Sequence, residues 1–255
     1  MNIAIVTGAS SGLGREFVRR LGREKGLDEI WAIARRRERL AALQADCALP
    51  VRALPLDLTR PESIAALTAL LQKEQPRVAV LVCAAGMGRL GLAREIPSAD
   101  NDAVIDLNCR AAVAVTTAAL PFLTRGSRVL EICSTAAFQP LPGLAVYAAS
   151  KAFLQSYAKA LHHELLFSGV RVTAVCPYWI KDTEFIPTAK QVDSTAYRHF
   201  PLASHARGVV RGALLANRLG LWVSTPGPVC LVHRITAKFI PHALMVPLVD
   251  LLRRI

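Results

Sequence analysis

The chain has 255 residues, of which 53% are hydrophobic and 20% charged, and its formal net charge is +12. This composition excludes a disordered protein, and the length suffices for one large domain with a full core. No apolar stretch reaches the roughly 18 to 20 uncharged residues of a membrane-spanning helix. The positive charge is not arranged in the stripe or motif of a nucleic-acid binder, so no nucleic-acid partner is expected.

Short apolar runs rich in β-branched residues recur along the chain, with longer helical patterns between them. They span residues 3–6, 30–33, 51–54, 78–82, 129–133, 170–175 and 221–223. Continuous apolar strands separated by helices are typical of a parallel sheet covered on both faces, so the sequence predicts a doubly wound α/β fold over residues 1–255. The first run leads directly into a glycine turn, unlike a secretory signal peptide, and a cytoplasmic protein is therefore expected.

A glycine pattern follows the first predicted strand and opens a helix near Gly12. The first glycine allows the positive φ of a tight turn, and the next lets a pyrophosphate approach the backbone closely. The free N–H groups and the positive dipole end of the helix favour the same phosphates. An ordinary strand–helix turn is the alternative, which the position in a βαβ unit disfavours. The predicted phosphate-binding residues are Gly8, Ser10, Ser11, Gly12, Leu13 and Gly14.

The end of the second predicted strand indicates which dinucleotide is bound. NAD would require an acidic residue there for the ribose 2′-hydroxyl, but the chain has arginines, beginning with Arg35 and Arg36. Because arginine pairs bidentately with phosphate, we predict NADP(H), bound by Arg35 in the first place and Arg36 in the second. A solvated basic helix start is the alternative. After the third strand, Asp57 either binds the adenine amino group or caps a helix near Pro61.

Tyr147 and Lys151 are four residues apart and share one face of a predicted helix. A free tyrosine has a pKa near 10; lowering it by about three units takes roughly 4 kcal/mol, which one charge about 4 Å away supplies at an effective dielectric near 20. Ser134 ends the fifth strand, where its hydroxyl can hold the substrate oxygen that Tyr147 protonates. The set predicts hydride and proton transfer on a carbonyl or alcohol. A core tyrosine beside a surface lysine is the alternative.

These residues resemble the short-chain dehydrogenase/reductase family over nearly the whole chain. Residues 7–14 match its TGxxxGxG pattern, and Ser134, Tyr147 and Lys151 match its serine and its YxxxK. The resemblance implies a single Rossmann domain of the NADP(H)-preferring type, with a seven-stranded parallel sheet and helices on both faces. It also implies a homodimer or homotetramer, and a water-mediated proton relay to the lysine that Asn108 supports.

Further cofactor contacts are implied by the resemblance at the ends of the strands. They are assigned to Leu58, Ala84, Ala85, Gly86, Tyr147, Lys151, Pro177, Ile180 and Thr183. Two departures stand out. The family's NNAG segment is CAAG here at residues 83–86, which removes both asparagines, and Tyr178 replaces a glycine where it would narrow or line the substrate pocket.

Two segments differ from the regular alternation. Residues 178–206 hold prolines and mixed charges with little periodicity, and they predict a substrate-binding excursion over the carboxyl edge of the sheet. Residues 229–255 form an apolar extension whose prolines predict two short amphipathic helices. The extension resembles that of hydroxysteroid dehydrogenases and ketoacyl reductases, which implies a hydrophobic substrate such as a steroid or keto lipid. A lid, a peripheral membrane contact, and core packing or a subunit interface all stay open for it.

The expected function is an NADP(H)-dependent oxidoreductase acting on a small-molecule carbonyl or alcohol, with Tyr147 as general acid and base. A catalytically silent NADP(H)-binding sensor is the alternative, which the presence of Tyr147 and Lys151 disfavours. No metal is expected, because the cysteines lack a CxxC spacing and the neighbouring His162 and His163 point apart on their helix.

Overall fold

Seven parallel strands form one sheet in the computed structural model, which describes residues 1–193, 197 and 202–254, without the side chains of 252–254. The strands are β1 (Asn2–Thr7), β2 (Glu29–Ala34), β3 (Val51–Pro55), β4 (Arg77–Cys83), β5 (Arg128–Ile132), β6 (Arg171–Val175) and β7 (Val223–Ser224). Their order across the sheet is β3-β2-β1-β4-β5-β6-β7, and every pairing is parallel. The predicted doubly wound fold is confirmed.

Helices of the described residues connect these strands and continue beyond them. They are α1 (Gly12–Leu21), α2 (Arg37–Ala41), α3 (Pro61–Glu74), α4 (Ser98–Ile105), α5 (Ala112–Ala119), α6 (Ala145–Glu164), α7 (Phe185–Ala189), α8 (Ala206–Arg218), α9 (Pro228–Phe239) and α10 (His242–Arg254). A π-helical segment, Asp106–Ala111, joins α4 to α5, and a 3₁₀ turn, Thr135–Phe138, follows β5.

Alternate residues of β1 enter two separate cores, one on each face of the sheet. Ile5 packs in the core covered by α3, α5 and α6, whereas Val6 packs in the core covered by α1 and α8. In the sheet, Ile5 lies beside Trp31 of β2 and Leu81 of β4. All four side chains are fully buried, which contributes roughly 1.5–3 kcal/mol for each. This burial on both faces explains why the strands are continuous apolar runs.

The two segments set apart by the sequence lie at the carboxyl edge of the sheet. Residues 178–206 contain the short helix α7, while 194–196 and 198–201 of this predicted substrate loop lie outside the described residues. The extension forms two helices, as predicted, with α9 ending just before Pro241 and α10 beginning just after it. Their outer faces are apolar: Phe239 is 74% exposed and Leu244 is 67% exposed.

One helical run, Ser98–Phe122, is long and apolar enough by length and composition to cross a membrane, with a mean hydropathy of 1.4. It comprises α4, the π-helical segment and α5. Val115 and Ala119 of this run are fully buried against the sheet. A helix buried in a protein core can have the same length and apolar composition as one that crosses a membrane.

A carboxyl group is buried in the core behind the sheet. Glu131 of β5 is fully buried, and its Oε1 accepts a hydrogen bond of 2.7 Å from the Thr116 hydroxyl of α5. Its Oε2 has no hydrogen-bond partner among the described residues. Burial raises the pKa of Glu131 to about 7, against the opposing effects of hydrogen bonds from Thr116 and Cys83 and the charge of Lys151.

We predict that Glu131 makes stability fall as the pH rises. Its folded pKa of about 7 lies above the usual 4.5, so between these values the folded state holds more protons than the unfolded state. The loss across this window is about 2–3 kcal/mol. Urea unfolding measures this at pH 4.5 and at pH 7. Between these values the free energy of unfolding should fall more for the wild type than for Glu131→Gln, whose side chain is neutral at both pH values. Equal declines would contradict the prediction.

Candidate active site

The glycine turn after β1 packs so tightly that side chains cannot be added to it. Gly8 has φ +66°, and a Cβ at this position would lie 2.8 Å from the Ala84 oxygen and the Ala85 nitrogen at the end of β4. A Cβ on Gly14 would collide with the carbonyl oxygen of Gly8. The start of α1 is therefore held directly on the turn. No side chain caps α1, and Gly12 at its start lines a large cavity, so its first N–H groups suit a phosphate.

Arginines from the β2–α2 connection lie at the same end of the cavity. Arg36 donates to the Ser10 hydroxyl at 3.0 Å from Nη2 and to Glu184 Oε2 at 2.9 Å from Nη1. Arg39 also donates to Glu184, and Arg35 is exposed and lines the cavity. Hydrogen bonds from Arg39 and Arg36 lower the pKa of Glu184 to about 2, so this carboxylate stays ionised at neutral pH. No motif or spacing points to Glu184, which lies 148 residues from Arg36.

Asp57 and Leu58 line the cavity beyond β3. The Asp57 carboxylate accepts hydrogen bonds from the Thr59 backbone at 3.1 Å and hydroxyl at 2.7 Å. Helix α3 begins after Arg60, so the alternative that Asp57 caps this helix is wrong. Burial opposes ionisation, but the Thr59 hydrogen bonds and nearby arginine charges outweigh it and lower the pKa of Asp57.

Tyr147 and Lys151 lie on α6 and are 9% and 4% exposed. The Lys151 Nζ donates to the carbonyl of Ile132 at 2.7 Å and lies 5.8 Å from the centre of the Tyr147 ring. Ser134 lies two residues after the end of β5, and its Oγ accepts from the Ala136 N–H at 3.1 Å, which caps the 3₁₀ turn. The end of β5 thus positions both the serine hydroxyl and the lysine ammonium.

Asn108 is fully buried in the π-helical segment, and every polar atom of its amide is bonded. Its Nδ2 donates to the Met87 carbonyl at 2.8 Å and to Ser150 Oγ at 3.0 Å, and its Oδ1 accepts from the Met87 N–H at 2.9 Å. A Cβ on Gly86 would lie 3.1 Å from Asn108 Oδ1 and 3.2 Å from Lys151 Nζ. Both side chains therefore border the same glycine. Short π-helical segments within α-helices, like the one that carries Asn108, are frequent at functional sites.

The acidity of the tyrosine differs from the expectation. Burial raises the pKa of Tyr147 to about 12, and a hydrogen bond with Ser134 only partly opposes this. Burial also lowers the pKa of Lys151, while nearby thiols and Glu131 oppose that shift. The prediction that Lys151 brings the Tyr147 pKa down toward neutrality is therefore wrong for the protein's own groups: burial exceeds the effect of the Ser134 hydrogen bond, and the Lys151 charge is not among the causes of the shift. Tyr147 is a phenol at neutral pH, which is the form of a proton donor.

The cavity extends from the glycine turn past Tyr147 to α9 and α10, with a volume of about 1340 Å³. This exceeds the roughly 300–1,000 Å³ of a single small-ligand pocket, so a dinucleotide and a substrate fit together. The predicted contacts that line it include Ser11, Leu13, Ala84, Ala85, Gly86, Pro177, Ile180 and Thr183. The Thr183 hydroxyl donates to the Ile180 carbonyl at 3.1 Å, and a Cβ on Gly12 would meet Thr183 at 3.4 Å.

The far end of the cavity is mainly apolar and aromatic. Phe185 lies 5.2 Å from Tyr147 between ring centres, and Tyr178, half-buried, lines the wall as predicted. Other side chains of this wall are Leu141, Leu144, Trp179, Tyr197, Val229, Val232, Met245 and Val249. Sequence reasoning missed two polar side chains of the lining, Gln139 and His233, because neither belongs to a motif. No cluster of three or more potential metal ligands occurs among the described residues.

Comparison with known proteins identifies the class. Residues 2–193 match the short chain dehydrogenase family, and the chain belongs to it. The NADP-dependent 3-hydroxy acid dehydrogenase of Salmonella typhi is 35% identical over 187 residues, which cover 72% of this chain and 74% of that protein. Sulfoacetaldehyde reductase 2 of Chromohalobacter salexigens is 35% identical over 193 residues, which cover 72% of this chain and 74% of that protein.

Solved structures support the same class. A short-chain dehydrogenase from Sphingobium yanoikuyae in complex with NADPH is 28% identical and superposes with a TM-score of 0.80. The match covers 96% of this chain and 95% of that one, so it includes the C-terminal helices. The family resemblance inferred from the glycine pattern, the serine and the YxxxK is confirmed.

We predict that Glu184→Gln strengthens NADPH binding by about two- to fivefold. The variant removes a carboxylate that competes for Arg36 and repels a phosphate, and exposed ion pairs contribute at most about 1 kcal/mol. Titration of NADPH fluorescence measures the change. NADH, which lacks the 2′-phosphate, should bind both proteins equally. Glu38→Gln is the control on exposed α2, and an NADPH affinity that is unchanged or weakened in Glu184→Gln would contradict the prediction.

Proposed function

We propose that this protein interconverts a ketone or aldehyde and the corresponding alcohol, with NADP(H) as its cofactor. The single observation that carries the proposal is that Ser134, Tyr147 and Lys151 meet on one cavity with the glycine turn and the arginines. The relatives are named for reduction of an aldehyde and for NADP-dependent dehydrogenation of a hydroxy acid, which supports the same chemistry here.

The cofactor side of the cavity suits a dinucleotide phosphate. Gly8 and Gly12 line the cavity beside the first N–H groups of α1, which suit a pyrophosphate, and Arg35 and Arg36 offer guanidinium groups to a 2′-phosphate. Lys151 is within reach of the ribose side of the cavity. When bound, NADPH supplies the hydride that reduces the carbonyl carbon.

Tyr147 supplies the proton in the reductive direction. The Ser134 hydroxyl and the Tyr147 phenol hold the carbonyl oxygen, and the Tyr147 O–H bond breaks as the new O–H bond of the alcohol forms. The phenolate left on Tyr147 is stabilised by the Lys151 ammonium. A proton then returns to Tyr147 through Lys151, while Asn108 holds the Met87 backbone beside Gly86, which the lysine also borders. The protein's own groups hold Tyr147 as a neutral phenol, ready to donate.

The substrate is hydrophobic in this proposal. The wall beyond Tyr147 is built from Phe185, Trp179 and Leu144, and α9 and α10 complete it with Val232 and Met245. Apolar side chains of this kind favour a bulky ring or chain over a small hydrated molecule. A steroid or a keto lipid meets that description.

Replacing Tyr147 by phenylalanine tests the role of the phenol. We expect Tyr147→Phe to lower kcat/KM for a ketone that the wild type reduces by about 10²–10⁴-fold, because general acid catalysis contributes this much. NADPH binding, measured by fluorescence titration, should change by no more than a few fold. The matched control is Tyr157→Phe on the same helix, away from the cavity lining, which should keep its activity.

A loss of less than a few fold in Tyr147→Phe would contradict the proposed role. Tight NADPH binding by the wild type without turnover of any ketone, aldehyde or alcohol would instead favour a catalytically silent NADP(H) sensor.

The two directions of the reaction should depend differently on pH. Reduction uses the phenol of Tyr147, which is fully protonated below its raised pKa, so its rate should be nearly flat from about pH 6 to about pH 9. Oxidation of the alcohol uses the phenolate, whose fraction grows up to about tenfold per pH unit below the pKa. Initial rates of both directions on one ketone–alcohol pair test this, and an oxidation rate that falls with pH would be the contrary result.

A further inference from the structure

A buried glutamine borders the cavity, and its side-chain amide has no hydrogen bond among the described residues. Gln139 is 4% exposed and lines the cavity, yet neither its Nε2 nor its Oε1 has a partner among the described residues. Buried amides in native proteins are nearly always hydrogen-bonded, because an unpaired one loses its interaction with water without compensation. A side chain with both an unused donor and an unused acceptor therefore points to a ligand that supplies the missing bonds.

Gln139 is positioned by the same short segment as the proposed reaction centre. The 3₁₀ turn Thr135–Phe138 begins at Ser134 and ends immediately before Gln139. The serine hydroxyl and the glutamine amide thus stand at the two ends of one rigid turn.

A second unpartnered polar atom comes from the C-terminal extension. The Nε2 of His233 on α9 is buried and has no hydrogen-bond partner among the described residues. Its ring packs edge-on against Phe138, with 5.8 Å between the ring centres, and His233 lines the cavity as well. Burial lowers the pKa of His233, so its imidazole is neutral at neutral pH. Gln139 and His233 therefore border the same part of the cavity from two different elements.

The one arginine that lines this end of the cavity among the described residues, Arg89, is paired with a carboxylate. Arg89 lines this end of the cavity, but its Nε donates to Asp100 at 2.9 Å and its Nη1 to the Gly88 carbonyl at 3.3 Å. The subsite then consists of a neutral amide and a neutral imidazole, and the hydroxyl of Thr236, which also lines the cavity from α9, donates to the His233 carbonyl at 3.1 Å. An ionised carboxylate or sulfonate would lose its hydration there without gaining a counter-charge, whereas a hydroxyl or carbonyl would gain hydrogen bonds.

We propose that Gln139 and His233 form a subsite for a second, neutral polar group of the substrate, such as a hydroxyl or a further carbonyl. The substrate class is then an apolar ketone or aldehyde with one neutral hydrogen-bonding group distant from the reacting carbonyl. This inference rests on the proposed reductase function. It separates this protein from the two relatives above, which are named for substrates with a sulfonate and with a carboxylate.

Matched substrates test the subsite. The panel consists of straight-chain alkan-2-ones from octanone to dodecanone, each with its terminal hydroxyl and terminal carboxylate analogue, so that chain length scans the distance to the subsite. We expect the wild type to prefer a hydroxyl analogue over its parent ketone in kcat/KM by about tenfold or more. Gln139→Met, which is similar in shape but apolar, should reduce this preference about tenfold. His233→Leu, which changes a side chain of α9, should also reduce the preference for the hydroxyl analogue.

Two readouts separate a binding role from a structural one. Gln139→Met should raise the Tm by roughly 2–4 °C, because it removes a buried unpaired amide. The control is Gln191→Met at the exposed rim of the cavity, which should shift neither the preference nor the Tm. A lower Tm with an unchanged preference would mean that Gln139 is structural and would overturn the proposal. Preference for the carboxylate analogues, or the same preference in Gln139→Met as in wild type, would also overturn it.

Ligand-induced stabilisation keeps this test separate from the proposed reaction. The rise in Tm on adding each ketone in the presence of NADPH reports binding without turnover. If no compound is turned over but the hydroxyl analogues stabilise wild type more than Gln139→Met, the subsite stands and the reductase proposal fails. If turnover occurs and neither turnover nor stabilisation distinguishes hydroxyl from parent ketone, the reductase stands and the subsite fails.

Discussion

The buried ammonium of Lys151 is the constraint around which the active-site end of the sheet is organised. A charge that is 4% exposed loses most of its hydration and requires polar partners in fixed places. The carbonyl of Ile132 supplies one at 2.7 Å, at the end of β5, and both Lys151 Nζ and Asn108 Oδ1 lie where a side chain on Gly86 would be. A side chain at Gly86 would push into both Asn108 and Lys151. The π-helical segment that carries Asn108 and the side-chain-free backbone after β4 therefore serve the same purpose: they let a charged group remain inside the protein.

Much of the fold and the glycine turn could be predicted because the signals are local. Seven apolar runs alternate with helical patterns, and the residues of the turn and of the YxxxK pair act through neighbours a few positions away. The Arg36–Glu184 contact could not be predicted, since it joins residues 148 positions apart and depends on how the loop after β6 folds back over α1. Gln139 and His233 were missed for the same reason: an unpaired polar atom is visible only once all neighbours are in place.

The acidity of Tyr147 illustrates a different failure. Spacing places Lys151 one turn along the helix and predicts an acidified phenol, but spacing carries no information on burial. In the folded protein the ammonium is 5.8 Å from the centre of the ring, and desolvation raises the phenol's pKa more than the hydrogen bond with Ser134 lowers it. For Asp57, by contrast, burial is outweighed by the two bonds from Thr59. Which effect wins depends on how many donors reach the ionised form, and that number is a property of tertiary structure.

The two ends of the cavity are joined by one short piece of chain. Glu184, paired with Arg36 and Arg39 at the cofactor end, directly precedes Phe185, whose ring packs against Tyr147 at the substrate end. A phosphate that engages Arg36 therefore acts on the residue next to the aromatic wall of the substrate pocket. The ion pairs are exposed and contribute little to stability, but they hold Glu184, the residue immediately before α7, at the arginines. Cofactor recognition and the shape of the substrate wall thus involve the same segment, although the residues that perform them line opposite ends of the cavity.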